Sequence, residues 1–296
     1  MVRYWRNIFL FLLPLVIAIA LLPESDKLRY AGLKAECSGK SEWMHNRIAI
    51  NPKPIDVAYI GSSHVINGIE DAIIMRKQAN AEQVVNFGFC RLGRDLQYQI
   101  IKDITAGHAL RTIVLEVREF ENKSSHPVFP FIGTTKNVLG ANIVHNPKYL
   151  PNVFQHLSYK TQLTQDLLYN DSNSTFKFRD TGFPEWVETR KLDSNLYPVC
   201  RNETLLVNTT FPKFSRHYLQ LISDLCYSKG ISFKFIYLPS FNSNAIPVHM
   251  EVYESFGTVF IVPDSIMRNP NNWFDVQHFN HYGATKVSEW LADQDI

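Results

Sequence analysis

The feature that most constrains folding is a repeated change of hydrophobic period along the chain. Short apolar, β-branched runs end at glycine or hydroxyl residues and alternate with stretches whose apolar residues recur at helical spacing. The first run, Ile55-Asp56-Val57-Ala58-Tyr59-Ile60, stops at Gly61-Ser62-Ser63-His64. Ile69 to Gln78 then has helical spacing, Val84 to Phe87 reads as a strand, and Asp95 to Thr105 as a helix capped by Asp95. Thr112 to Val117 is a third strand. Phe214 to Ser228 reads as an amphipathic helix ending at Gly230, ahead of the strand Ser232 to Leu238. Thr258 to Val262 is the last strand, and a helix from about Gly283 to Ala292 follows, with Asn280 as its cap. Such alternation implies right-handed crossovers and an α/β fold: a three-layer α/β/α sandwich around a mainly parallel sheet.

A buried parallel strand that ends in Gly-Ser-Ser puts a serine at the sheet's carboxyl edge, where open α/β sheets hold ligands. Serine is a weak nucleophile at neutral pH and needs a base, itself held by a third group. Asp275-Val276-Gln277-His278 supplies both, because an aspartate three residues before a histidine on a tight turn can accept from Nδ1 and leave Nε2 free. The order Ser, Asp, His is also that of α/β-hydrolases, but their Gly-x-Ser-x-Gly elbow is missing, since Val65 stands where the second glycine would be.

Together these motifs resemble those of the SGNH or GDSL-like hydrolases, whose first block is Gly-Asp-Ser-Leu or a variant and whose last is Asp-x-x-His. The resemblance spans about residues 55 to 293 and implies Ser63 as nucleophile, His278 as base and Asp275 as its orienting acid. The family's second block is similar to Val84-Val85-Asn86-Phe87-Gly88-Phe89-Cys90-Arg91-Leu92-Gly93. It implies an oxyanion hole made by the backbone of Ser63 with Gly88, in the Asn-x-Gly position, or with Gly93 further on. After the third strand the family has an asparagine as a further donor, whereas this chain reads Arg118-Glu119-Phe120-Glu121. Arg118 could supply charge to the oxyanion instead, and losing one such donor typically costs roughly 3 kcal/mol of transition-state stabilisation. No cofactor is implied. Within the family, exported members with an amino-terminal membrane segment act on acetyl groups of envelope or exported polysaccharides, which suggests an acyl ester or polysaccharide substrate and a membrane-bound acyl-donor partner. A non-catalytic domain of the same fold that binds a glycan or assembly partner is a second expectation. A flavodoxin-like anion cradle at Gly61-Ser62-Ser63 is a third, and it leaves Asp275 and His278 without a role.

Other residues are weaker candidates. His64 could touch substrate, or be solvated or capping. His281 is a second possible base but has His278, not an aspartate, three residues before it. Glu116, Glu119 and Glu121 are read as structural partners of Arg118 or Arg94 lying on one strand face.

The 296 residues carry 30 basic and 28 acidic side chains, a balance that does not favour nucleic acid, and are 45% hydrophobic, enough for one large core. Arg3 and Arg6 precede an uncharged run from Asn7 to Pro23, which reads as a signal peptide or membrane anchor with the catalytic domain outside the cytoplasm. Residues 1–23 are therefore expected as this segment, 24–54 as a linker or leading segment, and 55–296 as the α/β domain with an insertion at about 121–213. The four cysteines lack metal-binding spacing, and no metal is expected. Cys37 with Cys200 is the disulfide pair to test, with Cys90 and Cys226 expected as buried thiols. The insertion is rich in aromatics, including Phe129, Phe131, Tyr149, Tyr159, Phe183 and Trp186, which could line a sugar groove or simply pack on the sheet. Asn-x-Ser/Thr triplets at Asn122, Asn170, Asn173, Asn202 and Asn208 suggest surface loops.

Overall fold

A computed structural model describes residues 2–22, 24, 29–30, 33, 36–77, 83–166, 178–185, 187–193, 195 and 210–296. Its helices in chain order are α1 (Val2–Ala20), α2 (Lys40–His45), α3 (Ser63–Gly68), α4 (Asp71–Lys77), α5 (Arg94–Gly107), α6 (Phe129–Ile132), α7 (Thr135–Leu139), α8 (Tyr149–Asp166), α9 (Lys213–Lys229), α10 (Met250–Glu254), α11 (Asp264–Met267) and α12 (His281–Ala292). The strands are β1 (Val57–Gly61), β2 (Val84–Gly88), β3 (Thr112–Val117), β4 (Ser232–Tyr237) and β5 (Thr258–Ile261). All pair in parallel, in the order β2-β1-β3-β4-β5. The order reverses at β1, so the loop after β1 opens beside β3 at the carboxyl edge, the place such sheets leave for a ligand.

Strand alternation divides the core. Ala58, Ile60, Val85, Phe87, Ile113 and Leu115 face one side with Ile100, Ile104, Leu219 and Ile222 of α5 and α9. Val57, Tyr59, Val84, Val114 and Ile236 face the other with Ile74, Val287 and Leu291 of α4 and α12. Burial on both faces explains the unbroken apolar content of these strands.

Several boundaries differ from the sequence expectation. The stretch after Ser63 forms two short helices, α3 and α4, rather than one. Asp95 lies inside α5 and not at its cap, which is Gly93. Burial pushes the Asp95 carboxyl up to about 6 against the lowering effect of Ser125 and the His126 amide, both of which donate to it. Gly230, at φ +67°, ends α9 as expected, and Asn280 caps α12 by accepting from the Gly283 amide at 3.0 Å.

The leading segment is no free linker. Tyr30, Met44 and Ile48 are buried in the core, and Cys37 is disulfide-bonded to Cys90. That pairing corrects the expected one with Cys200, and it arises because the leading segment folds back over the loop after β2. Cys226 is a free, buried thiol as expected. Cys200, Trp186 and the triplets at Asn170, Asn173, Asn202 and Asn208 lie outside the described residues. Asn122 donates its carboxamide to the Leu92 carbonyl and is half-buried.

Among the described residues no helix is long and apolar enough to cross a membrane. In α1 the first turns carry Arg3 and Arg6 and Pro14 interrupts the apolar part, which leaves less than the roughly 20 apolar residues a span needs. The expected spanning anchor is thus not found there.

The outer edge of β2 is covered by residues 178–184. The Asn86 amide donates to the Thr181 carbonyl at 2.7 Å, and Lys40 Nζ donates to the carbonyls of Asn86 and Gly182. The Lys40 ammonium also lies 4.0 Å from the Trp43 ring centre and 4.6 Å from that of Phe178. Its complete burial, partly offset by the charge of Asp71, lowers its pKa to about 7. An unfolded lysine stays protonated to about 10.4, so between those values the unfolded chain binds more protons and stability rises with pH. The thermal midpoint is expected to climb between pH 7 and 9, and Lys40→Met should abolish the climb in a pH series of melting curves. A wild-type midpoint that is flat over this range would show that Lys40 stays charged.

Candidate active site

Ser63 begins α3, immediately after β1, and His278 lies on the loop before α12. Tertiary structure brings Ser63 Oγ within 2.8 Å of His278 Nε2 across 215 residues of sequence. Behind the ring, His278 Nδ1 lies 2.9 and 3.1 Å from the two carboxylate oxygens of Asp275. Asp275 Oδ1 also accepts from the backbone amides of Gln277 and His278, both at 2.7 Å. Burial raises the Asp275 pKa, but the bond and charge of His278 and these amides outweigh it and hold the carboxyl below its ordinary range. An ionised Asp275 fixes the proton on Nδ1, which leaves the lone pair of Nε2 facing the serine.

The loop carrying these two residues is pinned from several sides. Trp273 bridges Phe279 in antiparallel fashion, and their rings stack at 4.1 Å. The Phe274 ring stacks on His278 at 5.5 Å, and the Phe241 amide donates to the Val276 carbonyl at 2.8 Å. His281 donates its amide to the Glu188 carbonyl, and its ring lies against Tyr282. Ser63 is thus paired with His278 and not with its rival.

The Gly61-Ser62-Ser63 loop is held by residues whose part in it no sequence motif marks. Glu116, fully buried on β3, accepts from both the amide and the hydroxyl of Ser62, the latter at 2.8 Å. Ser62 Oγ in turn accepts from the His64 amide and caps α3. Burial raises the Glu116 pKa, opposed by Arg118 and by Ser62. Gly61 is required for this contact, because a Cβ there would lie 2.3 Å from Glu116 Oε2 and from Val65 Cγ2. Asn86 ties α3 to β2, with Nδ2 donating to the carbonyls of Val65 and Ile69, both at 2.8 Å.

The same asparagine corrects the expected role of Gly88. The Gly88 amide donates to Asn86 Oδ1 at 2.9 Å and so is not offered to an oxyanion. Gly88 lacks a side chain for a packing reason, since a Cβ would come 2.6 Å from the Ile66 amide nitrogen. Gly93 lies against His126, where an added Cβ would come 2.4 Å from the histidine Cβ and 2.8 Å from Cδ2 of its ring. The Ser63 amide is at the first position of α3, where a helix leaves N–H groups without internal acceptors.

His64 is neither solvated nor at the surface. It is 1% exposed, Nδ1 lies 2.8 Å from the Leu238 carbonyl, and its ring meets that of His278 edge-on at 5.7 Å. Burial, then the charges of Arg118 and His278, push its pKa well below the usual histidine range, so it is a neutral wall behind the His278 ring. Arg118 Nε lies 3.8 Å from Glu116 and 3.6 Å from Glu119, with a terminal nitrogen donating to Ser240 Oγ at 3.3 Å. Its charge is already matched by two carboxylates.

The expected pairing of the three glutamates with Arg118 and Arg94 is present, but they do not share a strand face. β3 ends at Val117. Glu119 turns to Ser240 and Ser243, while Glu121 joins Arg94 and accepts from the Tyr253 hydroxyl at 2.8 Å. Among the described residues no group of histidine, cysteine or carboxylate side chains could hold a metal ion. Of the insertion aromatics, Phe129 and Phe183 are buried, and Phe131 packs on Tyr159 at 5.0 Å and against the main core, so these rings are engaged in packing.

No family model, curated protein or solved structure matches this chain.

Proposed function

We propose that the protein is a serine esterase or O-acyltransferase of the SGNH type. Its substrates would be acyl esters, in particular acetyl esters of an exported or envelope polysaccharide. The observation that carries the reading is the relay Ser63–His278–Asp275, with 2.8 Å from Oγ to Nε2 and 2.9 Å from Nδ1 to the carboxylate. Ser63 and His278 are half-buried, so a substrate can reach them. The strand order 2-1-3-4-5, with the serine at the switch point, suits the SGNH and flavodoxin-like sandwich.

In this mechanism Ser63 Oγ attacks the ester carbonyl as its proton passes to His278 Nε2, and Asp275 stabilises the imidazolium. The Ser63 amide, with Gly93 as second donor, receives the oxyanion. Collapse expels the alcohol, which takes the proton from His278 and leaves an acyl-serine. Water or a sugar hydroxyl, deprotonated by His278, then attacks the acyl carbon, and the proton passes from His278 to Ser63 Oγ as the serine–acyl bond breaks. A hydroxyl acceptor makes the protein a transferase, and a membrane-bound acyl donor is then its natural partner. The basic amino-terminal flank and the Cys37–Cys90 disulfide support an oxidising compartment outside the cytoplasm, with the amino-terminal segment holding the protein at a membrane.

A fluorophosphonate probe tests this reading by labelling only an activated serine. Wild-type protein should be labelled at Ser63, and Ser63→Ala and His278→Ala should both lose the label. An unlabelled, folded wild type would favour the second reading, a non-catalytic glycan- or partner-binding domain. Arg118 in place of a donor asparagine and the occupied Gly88 amide speak for that alternative.

A further inference from the structure

From Asn122 through Gln165 the chain contains no aspartate or glutamate but carries Lys123, Lys136, Lys148 and Lys160. This segment forms α6, α7 and α8, which lie over a small core of Phe129, Val138 and Ala141 with Tyr149 and Val153 against it. On its outer side apolar side chains stand in solvent. Val144 is 83% exposed, Leu150 76%, Phe154 74% and Ile143 64%. Leu150 and Phe154 are one helical turn apart on α8, and Ile143 and Val144 occupy the turn just before it. The Tyr149 hydroxyl, donating to the Leu139 carbonyl at 2.8 Å, holds that turn against α7. Lys136 and Lys148 of the same segment are exposed too. Glu24 reaches the segment from outside, but Lys160 lies 3.3 Å from it and neutralises it.

We propose that this face docks on the surface of an anionic lipid bilayer. Apolar side chains projecting from a segment that carries lysines and no carboxylate of its own combine the two attractions that hold a protein at a lipid interface. The position of α1 agrees. Lys160 Nζ donates to the Ala20 carbonyl at 2.9 Å, so the apolar helix leaves the domain at α8, ten residues or about 15 Å along that helix from Leu150. A helix too short to span gives weak attachment alone, and stable membrane association takes a second contact. The exposed face supplies it and would set the orientation of the domain on the bilayer. This inference concerns attachment and does not rest on the chemistry of Ser63.

Hydrogen exchange of the full-length protein tests it, with vesicles of three parts phosphatidylcholine to one part phosphatidylglycerol, or of phosphatidylcholine alone. Anionic vesicles should slow exchange in the turn at 141–148. The double variant Val144→Asp/Phe154→Asp should lose that protection while α1 keeps its own. Replacing Lys136 and Lys148 by glutamate should weaken binding to the anionic vesicles at least about tenfold. Protection confined to α1, or protection of 141–148 that needs native membranes with their proteins rather than pure lipid, would overturn the proposal, the latter in favour of a protein partner.

Discussion

Replacing His278 by alanine is expected to lower kcat/KM for a simple acetyl ester by about four orders of magnitude, and Ser63→Ala should do the same. The physical reason is that the serine proton has one acceptor in position, His278 Nε2 at 2.8 Å. The double variant should be little worse than either single one, because the residues act as one relay. Asp275→Asn should also be severe, since a carboxamide facing Nδ1 favours the tautomer with its proton on Nε2, where it cannot accept from serine. The Asp275 carboxyl is held below its ordinary range, so it stays ionised across the neutral pH range. The acid limb of the kcat/KM profile should therefore show a single protonation. Hydrolysis by His278→Ala within tenfold of wild type would remove the relay from the mechanism, and a two-proton acid limb would show that Asp275 titrates with the base.

The second large effect is expected from the disulfide. Cys37 and Cys90 close a loop of 53 residues that contains α2, β1, the Gly61-Ser62-Ser63 turn, α3, α4 and β2. Opening a loop of that size returns chain entropy to the unfolded state worth about 4 kcal/mol, or about 6 °C in melting temperature for a chain of this length. Cys37→Ala/Cys90→Ala should show this loss in urea denaturation, and reductant should reproduce it in the wild type without lowering the double variant further. Equal midpoints for oxidised and reduced wild type would mean that the unfolded chain gains no freedom when the bond opens. The bond also leads into the turn at Arg91, where φ is +65°, so its loss should loosen the backbone that runs on to Gly93.

The strands, the parallel sheet and the three candidate relay residues were legible in the sequence because each rests on a local signal. β-branched runs stiffen into strands, Gly-Ser-Ser stops one, Gly230 and Asn280 end and begin helices, and Asp275 and His278 are close enough in sequence to meet on one turn. The roles of Glu116 and Asn86 were not legible. Glu116 reads as one of three similar glutamates until β3 lies beside the Ser62 turn, and only then does its carboxylate hold that turn. Asn86 reads as part of an oxyanion motif until α3 crosses the end of β2, where its side chain takes the Gly88 amide and two carbonyls of the helix.

By itself, then, the sequence determined which segments become strands and helices and which side chains are candidates for a nucleophile, a base and its orienting acid, since those depend on residue type and near neighbours. Tertiary structure alone decided the strand order, the Cys37–Cys90 bond, the spending of the Gly88 amide, the burial of His64 and the 2.8 Å meeting of Ser63 with His278. Each of these joins groups far apart in the chain, and such pairings are selected by shared burial and hydrogen-bond satisfaction across the whole core, which no local spacing encodes.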